Sequence, residues 1–360
     1  MWQSAANCGG VVMELLVGTT KGLFILGRGP EGWRLTGPFC DGWPINHAVG
    51  KGGAIFAAGG SGWHGAGVWR RVGGEWALSK GPFHGAEQLW SVCMDGERVL
   101  AGSKPAYLFE SRDGGGSWAR LEALTDQPGA EGWQPGAAGL TLHTILSDGK
   151  GGLWVGISAA GVFESRDGGA SWVMRNRRGN RAGPAGSLAR VWDGTEFRRE
   201  DEIFHCVHNL AFGAAEGLIY MQNHQGVYRS RDGGAVWEEV TEGLPSTFGF
   251  PVAAHPRDPG TFWVVPLNGD SAGRYPVDGR ALVWKTVDGG ESWEGKGEGL
   301  PAQDCFFTVL RQGLASDTGT PCGVAFGTNS GSVFFSGDEG ETWDEIARHL
   351  PTVLSVKFMG

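Results

Sequence analysis

The stretch Phe163-Glu164-Ser165-Arg166-Asp167-Gly168-Gly169-Ala170-Ser171-Trp172 decides the fold, because the chain repeats it. Each copy reads aromatic-x-Ser/Thr-x-Asp-x-Gly-x-x-Trp. The other clear copies span Phe109 to Trp118, Tyr228 to Trp237, Trp284 to Trp293 and Phe334 to Trp343. Glycine supplies positive φ, and the Asp carboxylate accepts hydrogen bonds from nearby backbone N–H groups. The stretch therefore predicts a β-hairpin with a tight turn, in which the Asp is structural rather than catalytic.

This repeat resembles the Asp-box, or BNR repeat, of sialidases, sortilin-type receptors, xyloglucanases and the photosystem II assembly factor. The chain as a whole resembles the stand-alone bacterial BNR-repeat proteins described as sialidase-like. All of these proteins are β-propellers, so the resemblance implies a propeller fold. It implies little about function, because one fold hosts many activities.

The closing Trp residues count the units. Two degenerate copies, ending at Trp33 and Trp76, precede the five clear ones, and successive closing Trp residues lie 42 to 65 residues apart. That spacing is typical of four-stranded propeller blades. We predict an all-β, seven-bladed propeller of antiparallel blades over residues 13–358, preceded by a short, poorly ordered extension over 1–12. The first unit lacks an inner strand, so the segment from Thr352 to Phe358 is predicted to complete the first blade.

The amino-acid composition limits the classes of binding partner and the cellular location that we expect. The chain has 360 residues and a net charge of -9, which argues against nucleic acid or an anionic membrane as a partner. Six Cys residues show no C-x-x-C spacing and are expected to be buried thiols. No signal peptide or membrane-length apolar run is found, so a cytoplasmic location is expected. No nucleotide cofactor is expected, and the oligomeric state is left open.

The long loops predict where a site lies. They follow the outer strands or join the second and third strands of blades, so they share one face, opposite the repeated turns. Aligning the inner strands by apolar pattern puts His47, His143 and His208 at one level near the channel mouth, with Trp90 and Phe250 in neighbouring blades. The same alignment uses Phe307 to Val309 for blade seven. His64, His205 and His224 are expected nearby.

Converging imidazoles suit a divalent transition metal. We assign His47, His143, His208 and His224 as candidate ligands for Zn, Mn, Fe or Cu. Two alternatives stay open: a metal-free His site for acid–base work or ligand binding, and His residues that only hydrogen-bond neighbouring blades.

Further residues are assigned to this face. Candidate catalytic residues are Glu87, His205 and Tyr275. Candidate substrate-binding residues are Trp90, Asn223, Arg190, Arg199, Phe250 and Arg274. Arg190 and Arg199 belong to a basic loop between residues 175 and 199. A basic loop in an acidic protein favours an anionic ligand. The alternative is a solvated loop or an oligomer contact.

The resulting hypothesis is an enzyme or small-molecule binder that acts on a small anionic substrate by hydrolysis or elimination. One alternative is a non-catalytic scaffold for a protein partner. Another is a BNR-type glycoside hydrolase. The resemblance to sialidases does not extend to their catalytic residues, since no Arg-Ile-Pro occurs and only Tyr275 of four Tyr residues is placed on the predicted site face.

Overall fold

The structure is a computed structural model that describes residues 13–133, 139–179 and 202–360. Across these ranges, strands pair into seven four-stranded antiparallel sheets arranged in a ring. The protein is a seven-bladed β-propeller, and the predicted fold is confirmed. The extension over residues 1–12 lies outside the described ranges.

Each blade is a meander from an inner to an outer strand. Blade one contains β1 (Met13–Thr19), β2 (Gly22–Gly29), β3 (Gly32–Phe39) and the last strand of the chain, β28 (Val353–Phe358). Blade two contains β4 (Ile45–Lys51), β5 (Ala54–Ser61), β6 (Gly65–Val72) and β7 (Glu75–Ser79). Blade three contains β8 (Gln88–Asp95), β9 (Arg98–Lys104), β10 (Leu108–Ser111) and β11 (Ala119–Arg120).

The second half of the ring repeats this order. Blade four contains β12 (Leu142–Ser147), β13 (Leu153–Ile157), β14 (Gly161–Ser165) and β15 (Val173–Met174), and blade five contains β16 (Val207–Phe212), β17 (Ile219–Asn223), β18 (Gly226–Ser230) and β19 (Glu238–Glu239). Blade six contains β20 (Gly249–Ala254), β21 (Phe262–Pro266), β22 (Val283–Thr286) and β23 (Glu294–Lys296), and blade seven contains β24 (Leu314–Ser316), β25 (Val324–Gly327), β26 (Val333–Ser336) and β27 (Asp344–Ala347). Short 3-10 helices span Glu122–Leu124, Ala130–Gly132 and Val277–Gly279.

The two ends of the described chain meet in blade one. Strand β28 pairs antiparallel with β1, with Val356 opposite Val17 and Phe358 opposite Leu15. The closure ties the two ends of the described chain together and gives blade one its inner strand. The prediction that the C-terminal strand completes the first blade is confirmed.

The five repeated hairpin turns, here named the Asp turns, are built from local hydrogen bonds. In the copy at Asp167, Oδ1 accepts the hydroxyl of Ser165 at 2.8 Å and the backbone N–H of Ser171 at 2.9 Å. The Ser165 hydroxyl in turn accepts the N–H of Gly169 at 2.8 Å. The same pattern recurs at Asp113, Asp232, Asp288 and Asp338. These carboxylates hold their own turns, which is a structural role.

The hydrophobic core lies between blades. Each described cluster combines side chains of neighbouring sheets, and large aromatic residues such as Trp237 and Trp263 are fully buried. Each blade is thus supported by the next, as expected of a repeat array. The inner strands line the central channel, and the candidate site lies at their N-terminal ends.

Candidate functional site

A recurring irregularity shapes the channel mouth. In six of the seven inner strands, all of them within the described ranges, the pairing to the next strand shifts around one or two extra residues. A β-bulge of this kind re-aims a side chain and often borders a functional site. The extra residues, here named the bulge ring, are Asn46, Trp90, His143, His208, Phe250 with Pro251, and Leu354.

The bulge ring corrects the alignment of His47. In blade two the extra residue is Asn46, so His47 is equivalent to Ser91 and not to His143. The buried His47 ring accepts the backbone N–H of Val92 through Nδ1 at 3.2 Å. Burial, with a smaller contribution from Lys357, lowers the pKa of His47 to about 3. His47 therefore lies one residue deeper than predicted and is held by the neighbouring blade.

The alignment of blade seven is also wrong. Its inner strand is β24, so the segment from Phe307 to Val309 precedes the strand instead of forming it. Thr308 donates its hydroxyl to the carbonyl of Arg274 at 2.7 Å. Arg311 and Gln312 take the place at the channel mouth, and the sequence analysis did not identify either of them.

Three potential metal ligands meet beside blade five. The Sγ atom of Cys206 and one ring nitrogen each from His208 and His224 all lie within 4.8 Å of one another. Nδ1 of His208 lies 2.6 Å from the carbonyl oxygen of Gly249, and Nε2 of His224 lies 3.3 Å from a carboxylate oxygen of Asp270. Two of the four predicted metal ligands, His208 and His224, are thus brought together. Cys206 joins them, although the sequence indicated only a buried thiol.

His143 lies apart from that group. Its ring is 1% exposed, and neither ring nitrogen has a hydrogen-bond partner in the described parts of the chain. Burial, followed by the charge of Arg311 and by His208, lowers the pKa of His143 well below its ordinary range. The ring packs edge-on against Trp90, with centroids 5.4 Å apart. His143 is therefore a neutral imidazole with unused hydrogen-bonding capacity.

Two guanidinium groups lie over the same aromatic ring. The Cζ atoms of Arg311 and Arg274 lie 4.6 Å and 6.0 Å from the centroid of Phe250. No carboxylate of the described residues forms an ion pair with either of them. Burial lowers the pKa of Arg311 to about 10, so the side chain is still charged at neutral pH. The channel mouth is locally positive within a protein of net charge -9.

The predicted catalytic residues are dispersed. Glu87 is exposed and pairs with Lys104 at 3.3 Å on the rim of blade three. His205 bonds through Nε2 to a carboxylate oxygen of Glu202 at 2.8 Å, just before β16. Tyr275 stacks edge-on against Phe306, with centroids 5.1 Å apart, in the loop between β21 and β22. Of these three, His205 is nearest in sequence to the Cys206 group.

The structure also places the predicted substrate-binding residues in different parts of the molecule. Phe250 and Arg274 belong to the positive mouth, and Trp90 contacts His143. Asn223 is fully buried and uses its side chain in the β17–β18 turn, donating to the carbonyl of Phe204 and accepting from the N–H of Gln225. That amide stabilises the turn that contains His224. Arg190 and Arg199 lie outside the described residues.

The described part of the basic loop is largely neutralised. Arg175 pairs with Glu164 through Nε at 2.6 Å, and Arg178 pairs with Glu239. These contacts fasten the loop to blades four and five. Within the described ranges, Arg274 and Arg311 are the unpaired positive charges at the mouth.

No protein-family model matches the sequence, and no curated protein matches it at the significance applied. Among solved structures, a GH74 xyloglucanase from Xanthomonas campestris superposes with a TM-score of 0.62 at 18% identity, covering 97% of this chain and 56% of the xyloglucanase. An ancestral GH74 enzyme gives 0.58 at 15% identity, covering 84% of this chain and 38% of its own. YCF48 bound to a D1 peptide gives 0.55 at 15% identity, covering 95% and 86%.

These similarities establish the fold alone, because the identities are low and propellers carry many functions. The chain spans 38% and 56% of the two GH74 enzymes. The described residues contain no helix that is long and apolar enough to cross a membrane.

Proposed function

We propose that this chain is a BNR/Asp-box-type propeller that binds a small anionic substrate at the channel mouth and acts on it by hydrolysis or elimination. The observation that carries the proposal is Arg311, a charged guanidinium deep in the mouth that no described carboxylate neutralises. A buried cation of this kind is costly unless an anion accompanies it.

The surroundings of Arg311 suit a small oxyanion such as a carboxylate or phosphate. Guanidinium groups bind carboxylates and phosphates with two parallel hydrogen bonds, and Arg274 supplies a second guanidinium on the same aromatic ring. Phe250 provides an apolar wall, and the low dielectric of the mouth strengthens each charge interaction. Nε of Arg311 is buried and has no hydrogen-bond partner among the described residues, so the guanidinium has unused donor capacity.

Two histidines are the candidate acid–base and hydrogen-bonding groups of this site. In His205, the contact with Glu202 gives an imidazole oriented by a carboxylate, which is the usual arrangement of a general base. The neutral imidazole of His143 can accept one hydrogen bond and donate another without carrying charge. In this proposal His205 supplies the proton transfers that a hydrolysis or an elimination needs, and His143 contributes hydrogen bonds.

Titration calorimetry tests the anion site. The probes are inorganic phosphate and small mono- and dicarboxylates, added to the full chain and to Arg311→Gln. We expect at least one probe to bind, and Arg311→Gln to weaken it by about tenfold or more, since hydrogen bonds to charged groups contribute roughly 1.5–3 kcal/mol. The matched control is Arg112→Gln, which removes an exposed guanidinium at an Asp turn on the opposite face. Unchanged binding in Arg311→Gln would overturn the proposal.

A second candidate function is binding of a protein partner. Trp63 is 92% exposed and Phe306 is 67% exposed, and both lie in loops on the face of the channel mouth. Aromatic residues of this kind are frequent anchors in protein interfaces. The scaffold reading predicts that a Trp63→Ala/Phe306→Ala variant loses a partner while anion binding is retained.

A reducing compartment accords with the cysteines. Cys40, Cys93, Cys206, Cys305 and Cys322 are all free thiols in the described structure. Free thiols of this number are typical of cytosolic proteins. We propose a cytoplasmic location on this ground.

A further inference from the structure

We propose that Cys206, His208 and His224 bind a divalent transition metal of the Zn²⁺ type, with a fourth coordination position facing the positive channel mouth. The three side chains are one thiolate and two imidazole ligands, a set that suits zinc and, in spectroscopic work, cobalt. The metal site stands on these residues alone, whereas the role of its fourth position rests on the proposed anion site.

The local backbone explains why the three ligands meet. Cys206 directly precedes β16, and His208 is the second residue of that strand. The backbone N–H of His224 donates to the carbonyl of Cys206 at 3.0 Å, which places the β17–β18 turn beside them. The bulge at His208 then directs its ring toward the same point.

The distances between the three ligand atoms are close to those between the ligand atoms of a bound zinc ion. Ligand atoms around tetrahedral zinc lie about 3.3–3.6 Å apart, given Zn–N and Zn–S bonds of about 2.0–2.3 Å. The three ligand atoms here lie within 4.8 Å of one another. Cys206 and His224 are both half-buried, so we expect their side chains to rotate and close that difference when an ion binds.

Both imidazoles have the outer contacts that metal-bound histidines usually have. A metal-binding His donates its second N–H to a carbonyl or carboxylate, which fixes its tautomer and orientation. His208 uses Nδ1 toward the carbonyl of Gly249, and His224 uses Nε2 toward Asp270. Nε2 of His208 and Nδ1 of His224 are therefore the atoms left to bind the ion.

An apolar shell packs around the two imidazoles. The ring centroids of Phe250 and Phe248 lie 4.8 Å and 5.7 Å from His208, and that of Phe204 lies 5.7 Å from His224. Such a shell keeps water away and strengthens ligand bonds. His47 and His143 do not belong to the ligand group. The predicted set of four His ligands is therefore replaced by two of those His residues and Cys206.

The charged side chains around the proposed metal ion favour an anion as its fourth ligand. A thiolate at Cys206 and the carboxylate of Asp270 together balance a divalent ion. Arg274 and Arg311 then remain as positive charges beside it. A substrate oxygen bound to the ion would be held by both guanidinium groups, and the ion would polarise that oxygen as a Lewis acid.

Metal analysis and cobalt spectroscopy test the site. Untagged protein is analysed by elemental mass spectrometry, then stripped with chelator and reconstituted with Zn²⁺ or Co²⁺. We expect about one equivalent of metal, and a thiolate-to-cobalt charge-transfer band in the Co²⁺ form. Cys206→Ser should abolish the band, and Asp270→Asn should weaken metal affinity roughly 10- to 100-fold. Cys305→Ser and His143→Gln are the matched controls and should keep both the metal and the band.

The outcomes separate this inference from the anion site. A folded wild-type protein that binds neither ion, or a Co²⁺ form without a thiolate band, would overturn the metal site even if Cys206→Ser fails to fold. Arg311→Gln should keep the metal while losing the anion. Metal binding that persists in folded Cys206→Ser with an unchanged spectrum would also exclude the proposed ligand set.

Discussion

The side-chain amide of Gln312 donates a hydrogen bond to the backbone carbonyl of His143 over 2.9 Å. Gln312 belongs to blade seven and His143 to blade four, so this bond crosses the ring between blades that are not neighbours. From blade five, the amide of Asn209 donates to the carbonyl of Arg311 at 2.9 Å. These bonds span the channel mouth and fix the backbone that carries Arg311.

Removing that cross-ring bond should weaken both stability and binding. Gln312→Ala is expected to lower the free energy of unfolding by about 1 kcal/mol, the typical value for one hydrogen bond. It should also weaken the proposed anion binding, since Arg311 loses a fixed neighbour. Urea denaturation and calorimetry measure the two effects. The control is Gln127→Ala, which removes a local bond to the carbonyl of Leu124 in the loop between β11 and β12. Equal effects on anion binding in both variants would contradict this role.

His143 should show a trade-off between stability and function. Its buried ring nitrogens have no described partner, and an unsatisfied buried polar group costs about 1–3 kcal/mol. Replacement by an apolar residue, His143→Leu, should therefore raise the free energy of unfolding while reducing ligand binding or turnover. Thermal and urea unfolding measure the first effect. A clear loss of stability in His143→Leu that His143→Gln does not share would show that the ring has a polar partner.

Features determined within ten residues could be predicted from the sequence. The turn at Asp167 depends on the spacing of Ser165, Gly169 and Ser171, all of which lie in one stretch. Repeating that stretch indicated a propeller. The surplus strand at the C-terminus then predicted how the ring closes.

The candidate site depends on features that apolar periodicity does not encode. In blade two, small Ala residues fit two registers equally well, and the bulge at Asn46 selects the one that moves His47 away. Arg311 lies in an irregular segment before a three-residue strand, where no alternating pattern marks its position. Cys206 and His224 are joined by strand pairing rather than by sequence spacing. A tertiary structure is needed to bring these residues together.

The Asp turns predict a specific acid sensitivity. Hydrogen bonds from Ser171 and Ser165 lower the pKa of Asp167 from 3.8 to about 2. A carboxylate whose pKa is lowered on folding contributes stability above its unfolded pKa, and that contribution is lost as the pH falls through about 2. Asp167→Asn should therefore be less stable than the wild type at pH 6, and the difference should shrink between pH 4 and pH 2.

Urea midpoints at several pH values measure that difference. Glu75→Gln serves as the control, because it removes an exposed carboxyl outside the Asp turns. If the difference in urea midpoint between the wild type and Asp167→Asn is constant across the acid range, the ionised form of Asp167 does not contribute to stability.

The closure strand makes the final prediction. Strand β28 buries Val353, Val356 and Phe358 against β1 and its neighbours, with exposed fractions of 0%, 2% and 7%. A chain truncated after Thr352 leaves β1 as an unpaired edge with its apolar side chains in water, so we expect a lower melting temperature and binding of a hydrophobic dye. A synthetic peptide of residues 353–360 should restore the melting temperature by adding a strand to that edge. The same peptide with Val356→Asp should fail, because it would place a charge in the core of blade one. If the truncated chain melts at the wild-type temperature, or if both peptides act alike, the ring is not held closed by β28.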